Sequence, residues 1–397
     1  MHSALAITRE MYDMEAAASD LARQVRERLP EIRRGCGIVF ADPGYDLAGL
    51  LQRLEQTLGV EVVGATSAAM LSSEGYHTMC ATLLVMSGDD CVFGTALSPA
   101  LRGEAGERPL EEALRETYER ALAKLGGTEP AMVFTLSAAN AGCAEDVRLT
   151  LLRKLAGGRP VFGGVAADHF EYVHARAGGE GHSGDSSMAL LLIGGNVRPR
   201  FVLRNVPRKH LSRSRVTSSA GNVVHTIDGM SAHDYMLRHG ADASSAMALH
   251  FTPLLVEAGS DRDGEEQIIC RPFVALDPQT GFGTTISEIP EGSAVTVQAV
   301  EAADILDATR DGMETLMRDM EEERDYTYST VLVMSCAARH MVLAIDKMRE
   351  AELGRDVFPA SLVFSGFYSF GEYCPISVNE GGADNRLHNL SIGFCAL

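Results

Sequence analysis

Residues 37–67 read GIVFADPGYDLAGLLQRLEQTLGVEVVGATS, and the fold prediction depends on the pattern in this stretch. An apolar run at 37–40 is followed by a turn at 41–44, and a second apolar run begins at Val62 and ends in Thr66 and Ser67. This order of strand, amphipathic helix and strand predicts a βαβ unit with parallel strands. The intervening helix has on one face Leu47, Leu50, Leu51, Leu54 and Leu58.

The same pattern recurs at 132–164 and at 331–366. We call the second strand of each strand-helix-strand unit its closing strand. In each copy this closing strand is followed by a polar loop with glycine and then by another apolar strand, at 79–86, 188–193 and 390–396. The short loop favours antiparallel pairing of this last strand, which makes the sheets mixed. We therefore predict an α/β protein whose repeated strand-helix-strand units form mixed sheets, in two domains.

Other segments lie between the copies. Helical spacing of apolar residues predicts helices at 110–125 and 302–323, and 254–300 is β-rich. The loop 168–185 contains four glycines, which predicts a mobile lid.

Composition excludes several classes of protein. The net charge of −19 disfavours binding to nucleic acids or to anionic membranes. The longest apolar run, 188–193, is far shorter than the roughly 20 residues that span a bilayer, and acids at 10, 13 and 15 interrupt any signal peptide. Eight scattered cysteines without a C-x-x-C pair indicate free thiols. We expect a cytoplasmic protein.

One basic stretch stands out against this acidity. Residues 186–227 contain no Asp or Glu but seven Arg or Lys residues. The stretch is either a solvated strand and linker or a docking surface for an acidic partner or anionic ligand.

The small residues at the strand ends are candidates for ligand contact. Ligands of open α/β sheets bind beyond the carboxyl ends of the strands, and Gly and Ser there let the backbone approach a ligand. The alternative is that these residues only allow tight packing. Neither a nucleophile elbow, nor a P-loop, nor a zincin motif is present, so the sequence gives acyl transfer no support.

Histidines in the loops after the closing strands suggest a metal or haem ligand. The alternative is that they are exposed and have no role. The candidates are His169, His174, His182 and His388.

Two further groups carry possible chemistry. Cys336 follows a strand, with Arg339 and His340 nearby, and is either a reactive thiol or a buried structural one. Glu372 lies among glycines and aromatic residues, where it can bind a ligand amine, and Asn389 and Arg386 can bind a carboxylate. Alternatively, Glu372 pairs with an arginine and Asn389 closes a turn.

The chain resembles one known family. Residues 366–372 (GFYSFGE) and 387–391 (LHNLS) are similar to the end of the FIST C domain, and 335–339 (SCAAR) looks like its S/C-C-x-x-R segment. The Gly-ended strands at 62–67 and 161–168 resemble those of the FIST N domain. Leu390 stands where many members have Gln.

The resemblance begins at about residue 35 and implies a FIST N-like domain at 35–222 and a FIST C-like domain at 223–397. Residues 1–34, which precede it, are predicted to form a helical lead-in. It implies a signal-transduction sensor that binds a small ligand, such as an amino acid or similar metabolite, and acts on a partner in trans, for example a histidine kinase. The alternatives are a haem-binding nitric-oxide sensor that regulates a histidine kinase, and a thiol-dependent enzyme that uses Cys336. Together with strand-end position, the resemblance marks as ligand-binding candidates Thr66, Ser67, Gly163, Gly164, Asp168, Ser335, Arg339, Tyr368, Glu372 and Asn389.

Overall fold

The computed structural model describes residues 1–102, 107–138, 145–209, 212–260, 266–379 and 381–397. Over these residues one unit occurs three times, in the order strand, helix, strand, helix, strand, hairpin and strand. The third copy is interrupted after its first strand by an inserted domain. The repeat predicted from the sequence is confirmed, and each copy is longer than the pattern indicated.

The first copy begins before the predicted FIST N-like segment, since residues 1–34 contain a strand as well as a helix. Its elements are β1 (His2–Thr8), α1 (Met14–Arg28), β2 (Gly35–Ala41), α2 (Leu47–Leu58), β3 (Glu61–Thr66), β4 (Met70–Ser72), β5 (Gly75–His77) and β6 (Ala81–Ser87).

The second copy has the same order. Its elements are β7 (Cys91–Leu97), α3 (Glu107–Ala123), β8 (Pro130–Ser137), α4 (Glu145–Ala156), β9 (Val161–Val165), β10 (Ala177–Gly179), β11 (His182–Gly184) and β12 (Met188–Gly195). The predicted lid at 168–185 is wrong for its glycine-rich part, because 177–184 forms the hairpin β10–β11, which pairs with β3.

The third copy starts with β13 (Arg200–Arg204) and then gives way to the insertion. The inserted elements are β14 (Ser214–Ala220), β15 (Val223–Ile227), β16 (Met230–Ser231), α5 (Ala232–Arg238), α6 (Ala246–Leu249), β17 (Leu254–Ser260), β18 (Glu266–Arg271), β19 (Phe273–Leu276), β20 (Gly283–Thr285) and β21 (Ala294–Val297). These eight strands form one sheet.

The third copy resumes after the insertion. Its remaining elements are α7 (Ala302–Glu322), β22 (Thr330–Cys336), α8 (Ala337–Leu343), α9 (Arg349–Val357), β23 (Val363–Ser369), β24 (Glu372–Asn379), β25 (Gly382–His388) and β26 (Ile392–Ala396). The single helix predicted between β22 and β23 is therefore two helices, since a short 3-10 turn at Ala344–Asp346 separates α8 from α9.

Each copy builds a mixed six-stranded sheet and completes it with a hairpin from another copy. The pairs β2–β3, β8–β9 and β22–β23 are parallel, and β6, β12 and β26 pair antiparallel to β2, β8 and β22, as predicted. The hairpin β10–β11 completes the first sheet, β24–β25 the second and β4–β5 the third. The three sheets are thus linked in a closed cycle.

A glycine occupies the same register position in the three closing strands. Gly64, Gly163 and Gly366 lie opposite Val39, Thr135 and Val333 in the parallel pairs. A Cβ on Gly163 would be 1.8 Å from the Thr135 carbonyl oxygen, and one on Gly366 would be 1.9 Å from that of Val333. These glycines are needed because a neighbouring carbonyl occupies the space of a side chain.

The inner faces of the three sheets share one core. It contains Phe40 from the first sheet, Phe134 from the second and Phe367 from the third, all fully buried. Helices α1 and α2 cover the outer face of the first sheet, α3 and α4 that of the second, and α7 and α9 that of the third. Strands covered on both faces explain the continuous apolar runs in the sequence.

The basic stretch at 186–227 is largely neutralised within the protein. Arg198 and Arg200 pair with Glu323, Arg204 pairs with Asp311, and Arg208 and Arg213 pair with Glu257. Most of its cations therefore fix β13 and the insertion to α7 and β17, which argues against the docking surface. In the described part of the chain, no helix is long and apolar enough to cross a membrane.

Candidate functional site

The carboxyl ends of β9, β22 and β23 meet the inserted domain around one cavity of about 240 Å³. The second and third copies contribute Val165, Cys336 and Ser369 at these strand ends. The insertion supplies the facing wall with His250, Pro272, Val274 and Ile286. Two of the three predicted strand-end junctions therefore share one cavity.

Three aromatic rings form one wall of this cavity, Phe170, Tyr172 and Phe370. The rings of Tyr172 and Phe370 stack with centroids 4.5 Å apart, and those of Phe170 and Phe370 are 5.8 Å apart. Tyr172 remains 47% exposed, so this wall lies between the cavity and solvent. We call these three residues the aromatic wall.

Asp168 shapes the loop that carries this wall. Its Oδ1 accepts hydrogen bonds from the amides of Glu171 and Tyr172, and its Oδ2 from those of Val173 and His174, at 2.9–3.1 Å. Burial raises the pKa of this carboxyl, but the four amides outweigh burial and lower it. Asp168 therefore organises the loop, and each of its oxygens is already used twice.

That loop has an unfavourable backbone. Phe170 and Tyr172 have φ angles of 66° and 60°, in the left-handed region that disfavours bulky side chains. Such residues cost of the order of 1–3 kcal/mol each. The four hydrogen bonds to Asp168 offset this cost and hold both rings in the aromatic wall.

Glu145, the first residue of α4, places a carboxylate at the cavity. Its Oε1 accepts hydrogen bonds from the Ser137 hydroxyl at 2.9 Å and from the Arg148 guanidinium at 3.2 Å, and its Oε2 accepts one from the Tyr373 hydroxyl. The guanidinium of Arg148 is itself fully buried. The carboxylate is therefore held in a fixed position, and its counter-charge, the guanidinium of Arg148, lies in the protein interior behind it.

His250 lines the cavity from the insertion. Its Nδ1 lies 2.8 Å from the carbonyl oxygen of Ala246, and since a carbonyl can only accept, Nδ1 carries the proton. Burial lowers the pKa of this histidine, with the carbonyl raising it in part. The ring is therefore neutral, and its Nε2 is a hydrogen-bond acceptor.

Glu372 lies directly behind the cavity wall. Its Oε1 is 2.7 Å from the hydroxyl of Ser369 and its Oε2 is 2.7 Å from that of Ser391. Burial raises its pKa to about 8, although both hydroxyls, the charge of Arg339 and the thiol of Cys336 act in the opposite direction. At neutral pH this carboxyl holds a proton.

The predicted thiol centre is not assembled. Burial and the neighbouring Glu372 raise the pKa of Cys336, so its thiol stays protonated. Arg339 bonds Glu350 at 2.8 Å, and Nε2 of His340 lies 2.7 Å from the Tyr76 hydroxyl. The thiol-dependent arrangement of Cys336 with Arg339 and His340 is wrong, because both partners are engaged away from the sulfur.

The remaining strand-end candidates contact the protein itself. Thr66 Oγ1 accepts from the Arg176 amide, and the Ser67 hydroxyl donates to the carbonyl of Tyr368. Gly163 and Gly164 pair with β24. These contacts, and those of Ser335 with Glu350 at 3.0 Å, correspond to the packing interpretation. None of these residues lines the cavity.

None of the four histidine candidates lines the cavity. His388 is fully buried, its Nε2 donates to the Cys374 carbonyl, and its pKa is lowered to about 3, chiefly by burial. His169 lies 3.5 Å from Asp42, His174 lies 3.4 Å from Glu171, and His182 is exposed. These residues do not fit a haem or metal site. The described residues include no cluster of three or more metal ligands.

Asn389 connects the core to the insertion. Its Oδ1 accepts from the Arg271 guanidinium at 3.2 Å, and the same guanidinium donates to the Leu387 carbonyl at 3.1 Å. The side chain of Arg271 is buried at this junction, next to the cavity residues Pro272 and Leu387. We call the Arg271–Asn389 contact the latch.

With this geometry established, comparison with known proteins gives the family. The model of the FIST N domain matches residues 35–230, and that of the FIST C domain matches residues 232–375. The chain belongs to the FIST family. FIST domains are sensory domains of signal transduction that bind small ligands. The cavity of this FIST protein lies where its two domains meet, since Val165 and Ser369 belong to different domains.

Other comparisons add little to this assignment. No curated protein matches this FIST chain significantly. Among solved structures it is similar to a cyanuric acid hydrolase from A. caulinodans (12% identity over 99% of this chain and 98% of that chain, TM-score 0.33). It is also similar to a second cyanuric acid hydrolase structure (10% identity over 100% of this chain and 98% of that chain, TM-score 0.41). A third similar structure is that of PurLQS from Thermotoga maritima (8% identity over 99% of this chain and 72% of that chain, TM-score 0.21). Similarities this low do not bear on function.

Sequence reasoning missed the half of the site that the insertion provides. His250, Val274 and Ile286 belong to no motif, and their approach to the core depends on long-range packing. It also missed the aromatic wall as a unit. Its signal was present in the sequence, because Phe170 and Tyr172 follow one strand end and Phe370 follows another.

Proposed function

We propose that this chain is a cytoplasmic sensor that binds a small ligand, of the size of an amino acid or similar metabolite, in the cavity between its core and its insertion. The observation that carries the proposal is the position of the cavity. Its walls come from the FIST N domain and from two parts of the FIST C domain, the core and the insertion, so that an occupant would contact all three parts. The free, buried state of the seven described cysteines fits a reducing compartment.

The composition of the walls supports ligand binding. Most of the lining is apolar, and a few polar groups, Glu145, His250 and Ser369, converge on it. Binding sites for small molecules commonly combine an apolar pocket with a small number of oriented polar groups. At about 240 Å³ the cavity lies just below the usual range of small-molecule sites, about 300–1,000 Å³, and therefore suits a small ligand.

The latch supports a route for the output. Arg271 reaches from β18 to the core loop at Asn389, and the next residue, Pro272, lines the cavity. A ligand that stabilises one position of the insertion therefore biases this contact. We infer that a partner protein in trans, such as a histidine kinase, responds to the position of the insertion relative to the core.

The haem alternative has no comparable support. None of His169, His174, His182 and His388 lines the cavity. Titration of the purified protein with haem checks this point, because a ligated haem gives a sharp, saturable Soret band. We expect a spectrum without saturation.

A matched pair of variants tests the proposal. Val274 lines the cavity from β19, whereas the next residue, Ala275, is exposed. Val274→Trp should fill the cavity and abolish ligand-induced stabilisation, while Ala275→Trp should retain it. The measurement is thermal unfolding against a library of amino acids, amines and small carboxylates.

The wild-type protein should be stabilised by mass action, by about 2.7 kcal/mol at a ligand concentration of 100 Kd. The Ala275→Trp variant should show the same shift. Equal shifts in both variants would place the ligand elsewhere, and a library that stabilises neither the wild type nor Ala275→Trp would contradict the sensor function.

A further inference from the structure

The polar groups that line the cavity are mainly hydrogen-bond acceptors. Glu145 presents a carboxylate, and His250 presents the acceptor Nε2 of a neutral ring. The hydroxyl proton of Ser369 is taken by Glu372 at 2.7 Å or by the Ser335 carbonyl at 3.3 Å, so its oxygen has only lone pairs left for a ligand. Such a set complements a ligand that donates hydrogen bonds.

The described lining contains neither Lys nor Arg. The nearest cations point elsewhere, since Arg148 lies behind Glu145, Arg339 is paired with Glu350 and Arg271 is taken up by the latch. The side-chain donors of the lining are the Tyr172 hydroxyl and the Cys336 thiol, and the thiol also interacts with Glu372. The described lining therefore offers a ligand carboxylate no cationic side chain.

The aromatic wall adds attraction for a positive charge. Phe170, Tyr172 and Phe370 line one side of the cavity and pack against one another, and aromatic rings attract cations through their quadrupole. The same rings also provide apolar surface for the body of a ligand. The wall thus suits a molecule that joins a cation to an apolar group.

We propose that the cavity binds an organic amine, with its ammonium group at Ser369, Glu145 and the aromatic wall and its apolar body against Val274, Ile286 and Met341. This inference rests on the proposed function and specifies the ligand class. Glu372 is the residue behind Ser369 that supplies the compensating negative charge. Upon binding, its carboxyl loses a proton to solvent, and the ammonium N–H···Ser369···Glu372 contact then joins opposite charges.

The surroundings of Glu372 fit this role. The titratable groups that face it include the Cys336 thiol from β22, the Arg339 guanidinium from α8 and the cross-strand neighbour His388 from β25. The thiols of Cys270 from β18 and Cys374 from β24 also interact with its charge, and burial raises the pKa of both, so they stay protonated. Burial keeps both the Cys336 thiol and the imidazole neutral. Arg339 is compensated by Glu350 at 2.8 Å. A bound ammonium group is therefore the change that favours ionised Glu372 most strongly.

A series of ligands that share one body separates the possibilities. The probes are 2-phenylethylamine, L-phenylalanine, 3-phenylpropanoate and 2-phenylethanol, measured on the full chain by calorimetry at pH 7. We expect the amine to bind at least tenfold more tightly than the propanoate and the amino acid. Binding of either carboxylate as tightly as the amine would overturn the inference and leave the proposed function intact.

Glu372→Gln tests the compensating charge while keeping size and hydrogen bonding. We expect it to weaken amine binding about tenfold and to leave 2-phenylethanol binding unchanged, which shows that the cavity is intact. Titrations in buffers with different ionisation enthalpies should show release of close to one proton per amine in the wild type and none in the variant. Amine binding without proton release, at equal affinity in both proteins, would overturn the role of Glu372.

The Val274→Trp variant distinguishes failure of this inference from failure of the proposed function. If the amine fails but another probe binds the wild type and not Val274→Trp, only the ligand class is wrong. If no probe binds the wild type and the library also fails, the cavity is not a ligand site, and both proposals fall together.

Discussion

The Arg339 guanidinium and the Glu350 carboxylate form an ion pair with both side chains fully buried, at 2.8 Å. Glu350 also accepts hydrogen bonds from Thr309 and Ser335, so the pair connects α7, α8, α9 and β22. Since α8 carries the cavity residues Ala337, Ala338 and Met341, the pair fixes one wall of the cavity from outside.

Removing one partner of this ion pair should be strongly destabilising. Glu350→Gln leaves a buried guanidinium without its counter-charge, a change that typically costs about 3–5 kcal/mol. The control is Glu352→Gln in the same helix, since the Arg349–Glu352 pair is partly exposed to solvent and surface pairs contribute about 0–1 kcal/mol. Urea unfolding monitored by circular dichroism measures both. Equal losses in the two variants would show that burial of the pair is unimportant.

Glu372 should make stability depend on pH. Its pKa is about 8 in the folded protein against 4.5 for the unfolded reference, so the folded state binds the proton more tightly. The stabilising contribution is complete below pH 4.5 and is lost as the pH rises to 8, by an amount of the order of 5 kcal/mol. Glu372→Gln cannot ionise. The stability difference between wild type and variant should therefore change between pH 5 and pH 9, and a constant difference would contradict the raised pKa.

A tryptophan in the aromatic wall should report occupancy of the cavity. The chain contains no Trp, so a single introduced Trp gives an unambiguous fluorescence signal. In Tyr172→Trp we expect ligand binding to shift or quench the emission, because the ring stacks on Phe370 at the cavity. Tyr12→Trp is the control, since Tyr12 is 97% exposed and does not line the cavity. A response in the control alone would refute the site.

Asp168 should act on ligand binding through the loop. In Asp168→Asn one carboxylate oxygen becomes an NH₂ group, which cannot accept from the two amides that face it. We expect a loss of about 2 kcal/mol in stability, in the range for unsatisfied buried groups, and at least tenfold weaker ligand binding. Replacing the exposed neighbour His174 by Ala should change neither quantity. Full affinity in Asp168→Asn would show that the loop does not position the wall.

The three equivalent glycines should differ in their tolerance of a side chain. A Cβ on Gly64 would lie 3.0 Å from the Val39 carbonyl oxygen, against 1.8 Å and 1.9 Å at Gly163 and Gly366. We expect Gly64→Ala to fold with a modest loss in melting temperature, and Gly163→Ala and Gly366→Ala to give little soluble protein. Soluble yield and thermal unfolding decide this.

The repeats were predictable because each has its own local periodicity. The helical leucines of α2 and the apolar run of β2 specify their elements without reference to the rest of the chain. The parallel pairs followed from the βαβ order. The exchanged hairpins were not predictable, since β4 and β10 have only three residues each and pair with strands of another copy.

The site was predictable only in part. Position at a strand end directed attention to the segments around Ser369 and Cys336, which line the cavity, and Glu372 lies one side chain behind it. The residue type did not reveal that Asp168 and Arg339 are used up by internal contacts. Whether a buried polar side chain has hydrogen-bond partners depends on residues that are distant in the sequence and close in the fold. A single sequence does not show which residues these are.

The exchange of hairpins has a consequence for the independence of the two FIST domains. The first half alone would lack β24–β25 beside β9 and would have no strand to receive β4–β5, while β13 would lose β26. Each half would expose sheet edges of the kind that promote aggregation. The boundary near residue 231 is therefore not a place where the polypeptide can be divided. We therefore expect the two halves to fold only as one chain and to unfold together as one cooperative unit.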